Sequence, residues 1–173
     1  MLRGINVSGH NCVKMEDLRA FFATLGFARV ETYVQSGNVV FMSASKSTAN
    51  LAKSIEQRMA HNFGFSVPVL LRTADEMAAI VASNLLLKET AIDPAKLHVT
   101  FLSAAPARTA HEQIAPLAAG TERFHVVGRE IYLYCPDGYG KTKLSNTAIE
   151  KKLSVGATTR NWKTVNTLLA MAQ

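Results

Sequence analysis

The chain of 173 residues is 48% hydrophobic and 18% charged, and its formal net charge is +6. This composition is typical of a globular protein and excludes extended disorder and collagen-like order, and the lack of any run of about 18 apolar residues excludes a membrane-spanning helix. Two cysteines are too few for a disulfide scaffold, and the first residues do not form an apolar signal segment, so we expect a cytoplasmic protein.

The first part of the chain predicts the order strand, helix, strand, strand, helix, strand. Apolar residues recur at helical spacing over 14–25 and 48–63, and a glycine follows each of these segments, which favours a helix end there. The clearest hairpin spans 29–42, where β-branched and aromatic runs flank Gly37, a residue that adopts positive φ without steric cost. Two short β-prone runs supply the outer strands, over 2–7 and 67–71.

The second part of the chain predicts a similar order that ends in two helices. The patterns indicate a helix over 73–81, a strand over 97–102, a helix over 109–117, a hairpin formed by 123–127 and 130–134, and helices over 144–153 and 161–171. We therefore predict an α+β protein of two ferredoxin-like modules, related to β-α-β-β-α-β, with antiparallel or mixed sheets and two C-terminal helices. The predicted modules are residues 1–72 and 73–173.

Positive charge is concentrated in two parts of the sequence. Residues 1–72 carry 8 basic and 4 acidic residues, residues 73–140 carry 5 and 8, and residues 141–173 carry 6 and 1. A localised positive field attracts anions and is the electrostatic pattern expected of a nucleic-acid-binding protein. The alternative is a basic surface that serves only solubility.

The familiar motifs of enzyme chemistry are absent from the sequence. The glycine-rich stretch 136–142 resembles a phosphate-binding loop, but Cys135 stands where that pattern requires its first glycine. The five histidines are not at metal-ligand spacing, and no Gly-x-Ser-x-Gly elbow is present. We therefore predict no catalytic residue, no metal site and no cofactor.

Polar loops that carry lysine, arginine and amide side chains are the best candidates for a binding site. These loops lie before the first predicted helix, at the turn of the first hairpin, at the end of the glycine-rich stretch and at the start of the last helix. Basic side chains neutralise phosphates, and amides and hydroxyls supply directional hydrogen bonds. The candidate ligand-binding residues are Arg3, Asn6, Lys14, Gln35, Ser36, Asn38, Lys141, Lys143, Arg160 and Asn161. The alternative is that these residues cap helices and close turns.

Several stretches resemble the bacterial family called domain of unknown function 1697. They are Leu2-Arg3-Gly4-Ile5-Asn6-Val7, the hairpin run Thr32-Tyr33-Val34-Gln35-Ser36-Gly37-Asn38-Val39-Val40-Phe41, and the C-terminal Ala157-Thr158-Thr159-Arg160-Asn161-Trp162. The resemblance covers essentially the whole chain. It implies an intracellular α+β protein of two ferredoxin-related subdomains with no assigned activity, and a first strand that begins several residues earlier in other members.

Three hypotheses follow from these observations. The first is a non-catalytic protein that binds an anionic ligand, with nucleic acid as the favoured class. The second is an enzyme that acts on a small phosphorylated or carboxylated metabolite in a pocket between the modules, with His10 or His98 as its acid or base. The third is a protein that assembles with its own copies through an open sheet edge.

Overall fold

The computed structural model describes residues 1–7, 9–45 and 47–173. These residues form an α+β structure with six α-helices and two antiparallel sheets. They divide into two compact units: Met1–Ala74 with Leu168–Gln173 make the first, and Asp75–Thr167 make the second.

The first unit contains one hairpin and two helices. In chain order these elements are α1 (Met15–Thr24), β1 (Ala28–Tyr33), β2 (Asn38–Met42) and α2 (Thr48–Phe63). The hairpin is antiparallel, with Tyr33 opposite Asn38, as the sequence predicts. Helix α1 buries Leu18 and Phe22, and α2 buries Ile55 and Met59, all in one apolar core. This core removes the apolar stripe of both helices from water, which is the main source of their stability.

The two outer strands predicted for this unit are much shorter than expected. The segments 2–7 and 67–71 meet at a single antiparallel bridge, Leu2 with Val69, extended by backbone hydrogen bonds from Arg3 N to Pro68 O and from Leu70 N to Met1 O. Beyond Arg3 the chain adopts positive φ at Gly4 (75°) and Asn6 (54°), which ends the extended conformation. The prediction of a strand through residue 7 is therefore wrong.

The second unit contains a four-stranded antiparallel sheet with helices beside it. In chain order the elements are α3 (Ala74–Ala82), β3 (Leu97–Leu102), α4 (Ala110–Ile114), β4 (Arg123–Val127), β5 (Glu130–Tyr134), α5 (Asn146–Leu153), β6 (Ala157–Asn161) and the first part of α6 (Trp162–Ala172), a helix whose residues from Leu168 onward belong to the first unit. The strand order in the sheet is β4-β5-β3-β6. Every strand and helix predicted after residue 73 is present, and α4 continues into a 3-10 turn over Ala115–Leu117.

Strand β6 is the element that the sequence interpretation missed. Its residues Ala-Thr-Thr-Arg-Asn form a short polar run that does not have the pattern of a strand. The final helix, predicted to begin at residue 161, begins at Trp162, directly after this strand. The strand exists because it pairs with β3 along its full length, with Thr159 opposite Thr100. A partner more than 50 residues away in sequence leaves no local signal.

One face of this sheet changes from apolar to polar along its length. Near one end, Leu102 and Ile131 pack with Ile114 of α4 and Ile149 of α5 in a dry core. Side chains two residues apart on a strand share a face, so Thr100 and His98 continue the row that begins at Leu102. Thr159 lies opposite Thr100 on that face. This face therefore becomes polar on β3 and β6, whereas on β5 Leu133, opposite His98, still belongs to the apolar core.

Candidate functional site

The ten predicted site residues are divided between the two units. The first unit contains Arg3, Asn6, Lys14, Gln35, Ser36 and Asn38, and the second contains Lys141, Lys143, Arg160 and Asn161. Within each unit the structure brings two of the predicted polar loops together, so each unit has a cluster of its own.

In the first unit, Asn6 joins the N-terminal loop to the hairpin turn. Its side-chain Nδ2 donates to Val13 O and to Gln35 O, both at 2.9 Å, and its Oδ1 accepts from Val13 N at 2.8 Å. Asparagine tolerates the left-handed backbone that this position requires (φ 54°). Both amide hydrogens of Asn6 bond within the protein, so the side chain holds two loops together. Its predicted contact with a ligand stays a prediction.

Asn38 has the same structural role inside the hairpin turn. The side chain is 0% exposed, and its Nδ2 donates to Tyr33 O at 3.1 Å and to Ser36 Oγ at 3.0 Å. A buried amide must have such partners because desolvation without them costs about 1–3 kcal/mol. Asn38 therefore shapes the turn that carries Gln35 and Ser36, and its predicted contact with a ligand stays a prediction.

The turn between β1 and β2 carries a strained and exposed residue. Val34 adopts φ 48° although it is β-branched, and 50% of it is exposed. Such a conformation costs on the order of 1–3 kcal/mol and persists only where the surroundings enforce it. Here the two neighbouring carbonyls, Tyr33 O and Gln35 O, are held by Asn38 and Asn6. The exposed turn is thus a rigid one.

Four of the predicted residues remain at the surface of these loops, and we call them the loop patch. Lys14, Gln35 and Ser36 are exposed and Arg3 is half-buried. Lys14 precedes α1 at the N-cap position without a side-chain capping bond, so its ammonium group is left to solvent. The loop patch combines two cations, an amide and a hydroxyl, which is a set of groups suited to an oxyanion.

In the second unit, three polar side chains bond to the Thr159 hydroxyl and His98 stacks beside them; we call His98, Thr100, Tyr139, Asn146 and Thr159 the hydroxyl cluster. Tyr139 OH donates to Thr159 Oγ1 at 3.0 Å, Thr159 Oγ1 donates to Asn146 Oδ1 at 2.7 Å, and Thr100 Oγ1 lies 2.7 Å from Thr159 Oγ1. The His98 ring stacks on the Tyr139 ring with centroids 5.0 Å apart. The cluster occupies the polar end of the sheet face described above.

Burial shifts the titration of two members of the hydroxyl cluster. Desolvation lowers the pKa of His98, against the opposite effect of its bond to Lys96 O, so the imidazole is neutral at pH 7. Desolvation likewise raises the pKa of Tyr139, which keeps its hydroxyl protonated as a donor. The cluster therefore has no net charge at neutral pH.

Two predicted residues of the second unit have structural roles. Arg160 is only 9% exposed, and its Nη1 donates to Thr158 Oγ1 and to Thr159 O, both at 2.8 Å. Burial lowers the pKa of Arg160 to about 10, so it stays protonated. Asn161 caps α6, since its Oδ1 accepts from Thr164 N at 2.8 Å. The predicted contact of both residues with a ligand stays a prediction.

Lys141 and Lys143 are exposed, in agreement with a surface role. Lys141 ends a 3-10 turn that begins at Tyr139, so both lysines follow a member of the hydroxyl cluster closely in sequence. Their predicted contact with a ligand stays a prediction.

The sequence interpretation did not find the hydroxyl cluster. None of His98, Thr100, Tyr139, Asn146 and Thr159 is among the ten candidate ligand-binding residues, although 136–142 and 157–162 were each singled out as stretches. One signal was present, because His98 and Thr100 alternate with apolar residues along a strand that is otherwise buried. Polar side chains at alternate positions of such a strand predict a polar patch on one face of the sheet.

Two kinds of site are absent from residues 1–7, 9–45 and 47–173. In that part of the chain no group of three histidine, cysteine, aspartate or glutamate side chains is arranged to hold a metal ion. None of the described helices is both long and apolar enough to cross a bilayer.

Comparison with known proteins gives a family without an assigned activity. Over residues 1–132 the sequence matches the family described as "Protein of unknown function (DUF1697)". Among solved structures, the conserved bacterial protein SP0830 from Streptococcus pneumoniae matches with a TM-score of 0.73 and 24% identity, over 100% of this chain and 96% of that chain, which shows a shared fold. No curated protein matches the sequence. Since the family match covers most of the chain, the protein belongs to the DUF1697 family of proteins of unknown function.

Proposed function

We propose that the protein binds an anionic ligand, with nucleic acid as the favoured class, through the loop patch of the first unit and without catalysis. The observation that carries this proposal is the exposed turn at Val34, whose strained backbone is fixed by two asparagine side chains. Backbone strain tends to occur at functional sites, where a loop must keep one shape. A turn built only to join two strands has no need of it.

The charge of the first unit indicates an anion as the ligand. Residues 1–72 carry 8 basic and 4 acidic residues, and the loop patch contributes Arg3 and Lys14. In nucleic-acid complexes the cations contact phosphates, whereas amide and hydroxyl groups such as those of Gln35 and Ser36 bond to phosphate, sugar or base edges. The chemistry of the loop patch is compatible with this division of roles.

The experiment is a fluorescence anisotropy titration of a short labelled single-stranded RNA, and of the matching DNA, at increasing salt. We expect binding at about 50 mM salt that weakens steeply at higher salt, because counterions are released on binding. Substituting Lys14→Gln is expected to lower the slope of log affinity against log salt by about 1.

Lys53→Gln is the matched control, since Lys53 is also an exposed lysine of the first unit but lies on α2. It should leave the salt slope unchanged if the loop patch is the site. No change in anisotropy at about 50 mM salt, where phosphate contacts are strong, would exclude a nucleic-acid ligand. Equal effects of the two lysine variants would exclude the loop patch.

We also infer that the second unit is a ferredoxin-like module. Its elements β3, α4, β4, β5, α5 and β6 follow the order strand, helix, strand, strand, helix, strand, and its four strands pair antiparallel in the order β4-β5-β3-β6. That element order is the one that defines this architecture. An experimental structure with any other strand order would exclude it.

A further inference from the structure

We propose that His98 and Asn146 form a second ligand site, within residues 75–167, for a small phosphate ester that carries hydroxyl groups. Both residues border Tyr139: the imidazole of His98 stacks on its ring, and the side chain of Asn146 bonds to the same Thr159 hydroxyl as the Tyr139 hydroxyl does. This site is separate from the loop patch and does not depend on its function.

The hydrogen bonds at Thr159 engage the side-chain oxygen of Asn146. A threonine hydroxyl has one hydrogen to donate and two lone pairs to accept with. Thr159 donates its hydrogen to Asn146 Oδ1, so Tyr139 and Thr100 must both donate to Thr159. With Oδ1 of Asn146 engaged in this way, its Nδ2 group is directed away from Thr159 with two hydrogens to donate.

The backbone fixes the tautomer of His98 in a similar way. Its Nδ1 lies 3.1 Å from Lys96 O, a carbonyl that can only accept, so Nδ1 carries the hydrogen. In the neutral ring Nε2 then has a free lone pair, and the stacked Tyr139 ring holds the imidazole plane in place. His98 is thus a positioned acceptor, or a base, with its second nitrogen still available.

Both residues are half-buried, and each keeps one polar atom for a ligand. Nε2 of His98 and Nδ2 of Asn146 make no hydrogen bond to the described residues. One can serve a ligand as an acceptor and the other as a donor.

The charge beside this pair indicates a phosphate group. Residues 141–173 contain 6 basic residues and a single acidic one, Glu150. The Oε1 of Glu150 accepts from Ala157 N at 2.8 Å, so that carboxylate is engaged with the backbone. Lys141 and Lys143 are exposed just after Tyr139. A ligand hydroxyl can donate to His98 Nε2, a ligand oxygen can accept from Asn146 Nδ2, and the lysines can pair with its phosphate.

The test follows the imidazole resonances of His98 by NMR during titration with ribose 5-phosphate. Ribose and inorganic phosphate are the comparison probes, because each carries only half of the proposed chemistry. We expect ribose 5-phosphate to shift the His98 resonances and to bind more tightly than either half. His98→Gln is expected to weaken its binding about tenfold, as the loss of one well-placed hydrogen-bond acceptor does.

His111→Gln is the matched control. His111 also stacks on an aromatic ring, that of Phe124, with centroids 4.7 Å apart, and it lies outside the hydroxyl cluster. It should not change the affinity for ribose 5-phosphate. Lys141→Gln, at an exposed position that does not disturb the fold, should weaken ribose 5-phosphate and inorganic phosphate alike and leave ribose unaffected.

Three results would overturn the proposal. One is the absence of any His98 shift with ribose 5-phosphate up to about 10 mM, beyond which binding is too weak to be specific. Another is equal weakening by His98→Gln and His111→Gln. The third is inorganic phosphate binding as tightly as ribose 5-phosphate and insensitive to His98→Gln, which would show a lysine patch without the histidine. None of these results bears on the loop patch.

Discussion

Asparagine side chains hold the loops of the first unit in place by bonding to backbone carbonyls. Asn6 and Asn38 together bond to three carbonyl oxygens from two separate stretches of chain, that of Val13 before α1 and those of Tyr33 and Gln35 in the hairpin turn. Neither side chain has an amide hydrogen left for a ligand. At the scale of single residues, the asparagines of these loops serve mainly to form hydrogen bonds with the backbone. Their exposed neighbours are the residues that a ligand can contact.

The first prediction concerns the buried amide of Asn38. Replacing it, Asn38→Ala, removes bonds to Tyr33 O and Ser36 Oγ and leaves a buried carbonyl without its partner. We expect the free energy of unfolding to fall by about 2–3 kcal/mol, measured by urea denaturation. Asn50→Ala, at an exposed position of α2, should change it by less than about 0.5 kcal/mol. Equal effects of the two variants would contradict the structural role of Asn38.

The second prediction concerns the pH dependence that His98 imposes. Because burial lowers the pKa of His98 in the folded state, the unfolded chain binds the proton more readily. Stability from this residue is therefore complete above its ordinary pKa of about 6.5 and decreases as pH falls toward the lowered folded value. Urea denaturation at a series of pH values should show this loss in the wild type and less of it in His98→Gln. His61→Gln, at an exposed position of α2, should keep the full loss. Identical profiles in all three would contradict the assignment.

At the scale of elements, the hairpin β1–β2 depends on close contact between Gly37 and the N-terminal segment. Leu2 N donates to Gly37 O at 2.8 Å, and a Cβ at position 37 would lie 2.8 Å from Leu2 Cβ and 2.9 Å from Ile5 Cγ1. Both neighbours are core residues with no room to move. The turn therefore needs glycine for two reasons, its φ of 74° and the lack of space.

The third prediction separates these two reasons by comparing two glycines. Gly26 has φ 82°, but a Cβ there would meet no atom within 4 Å. Gly26→Ala should cost about 1–2 kcal/mol from the left-handed backbone alone, whereas Gly37→Ala should cost at least about 2 kcal/mol more because a packed core must shift. Thermal and urea denaturation of both variants measure the difference. Equal losses of stability would mean that the contact of position 37 with Leu2 is unimportant.

At the scale of the whole molecule, the open edges of the second unit's sheet decide whether copies of the chain assemble. The edge strands are β4 and β6. On β4, Arg123 and His125 contact the carboxylate of Glu89 at 3.3 and 3.2 Å. Charged side chains on an edge strand, with another segment bonded beside them, disfavour pairing with a second copy.

The fourth prediction is accordingly a monomer in solution. Sedimentation equilibrium at roughly 10–100 μM, a range in which specific strand pairing of micromolar affinity is detected, should give the mass of a single chain. A dimer mass would instead favour self-assembly through a sheet edge. In that case Val126→Lys on β4 would test whether β4 is the edge involved, because a lysine there should restore the monomer.

Local chemistry determined most of the elements of this protein. Helical spacing of apolar residues, glycines after helices and β-branched runs around Gly37 are properties of neighbouring residues, so they predicted five of the helices and both hairpins close to their observed bounds. The same reasoning identified polar, basic loops as the candidate binding region, whereas the family was indicated by the resemblance of several stretches to its members and is confirmed by the family match.

Only the tertiary structure decided which polar side chains are available. Whether an amide caps a backbone or faces solvent depends on partners far along the chain, such as Gln35 O for Asn6. Strand β6 and the hydroxyl cluster likewise arise from pairing across more than 50 residues. Whether a polar side chain forms hydrogen bonds within the protein depends on the groups that the fold places beside it. The sequence does not contain that information. The ten candidates could therefore be divided into residues that hold loops together and residues that are exposed only from the three-dimensional structure.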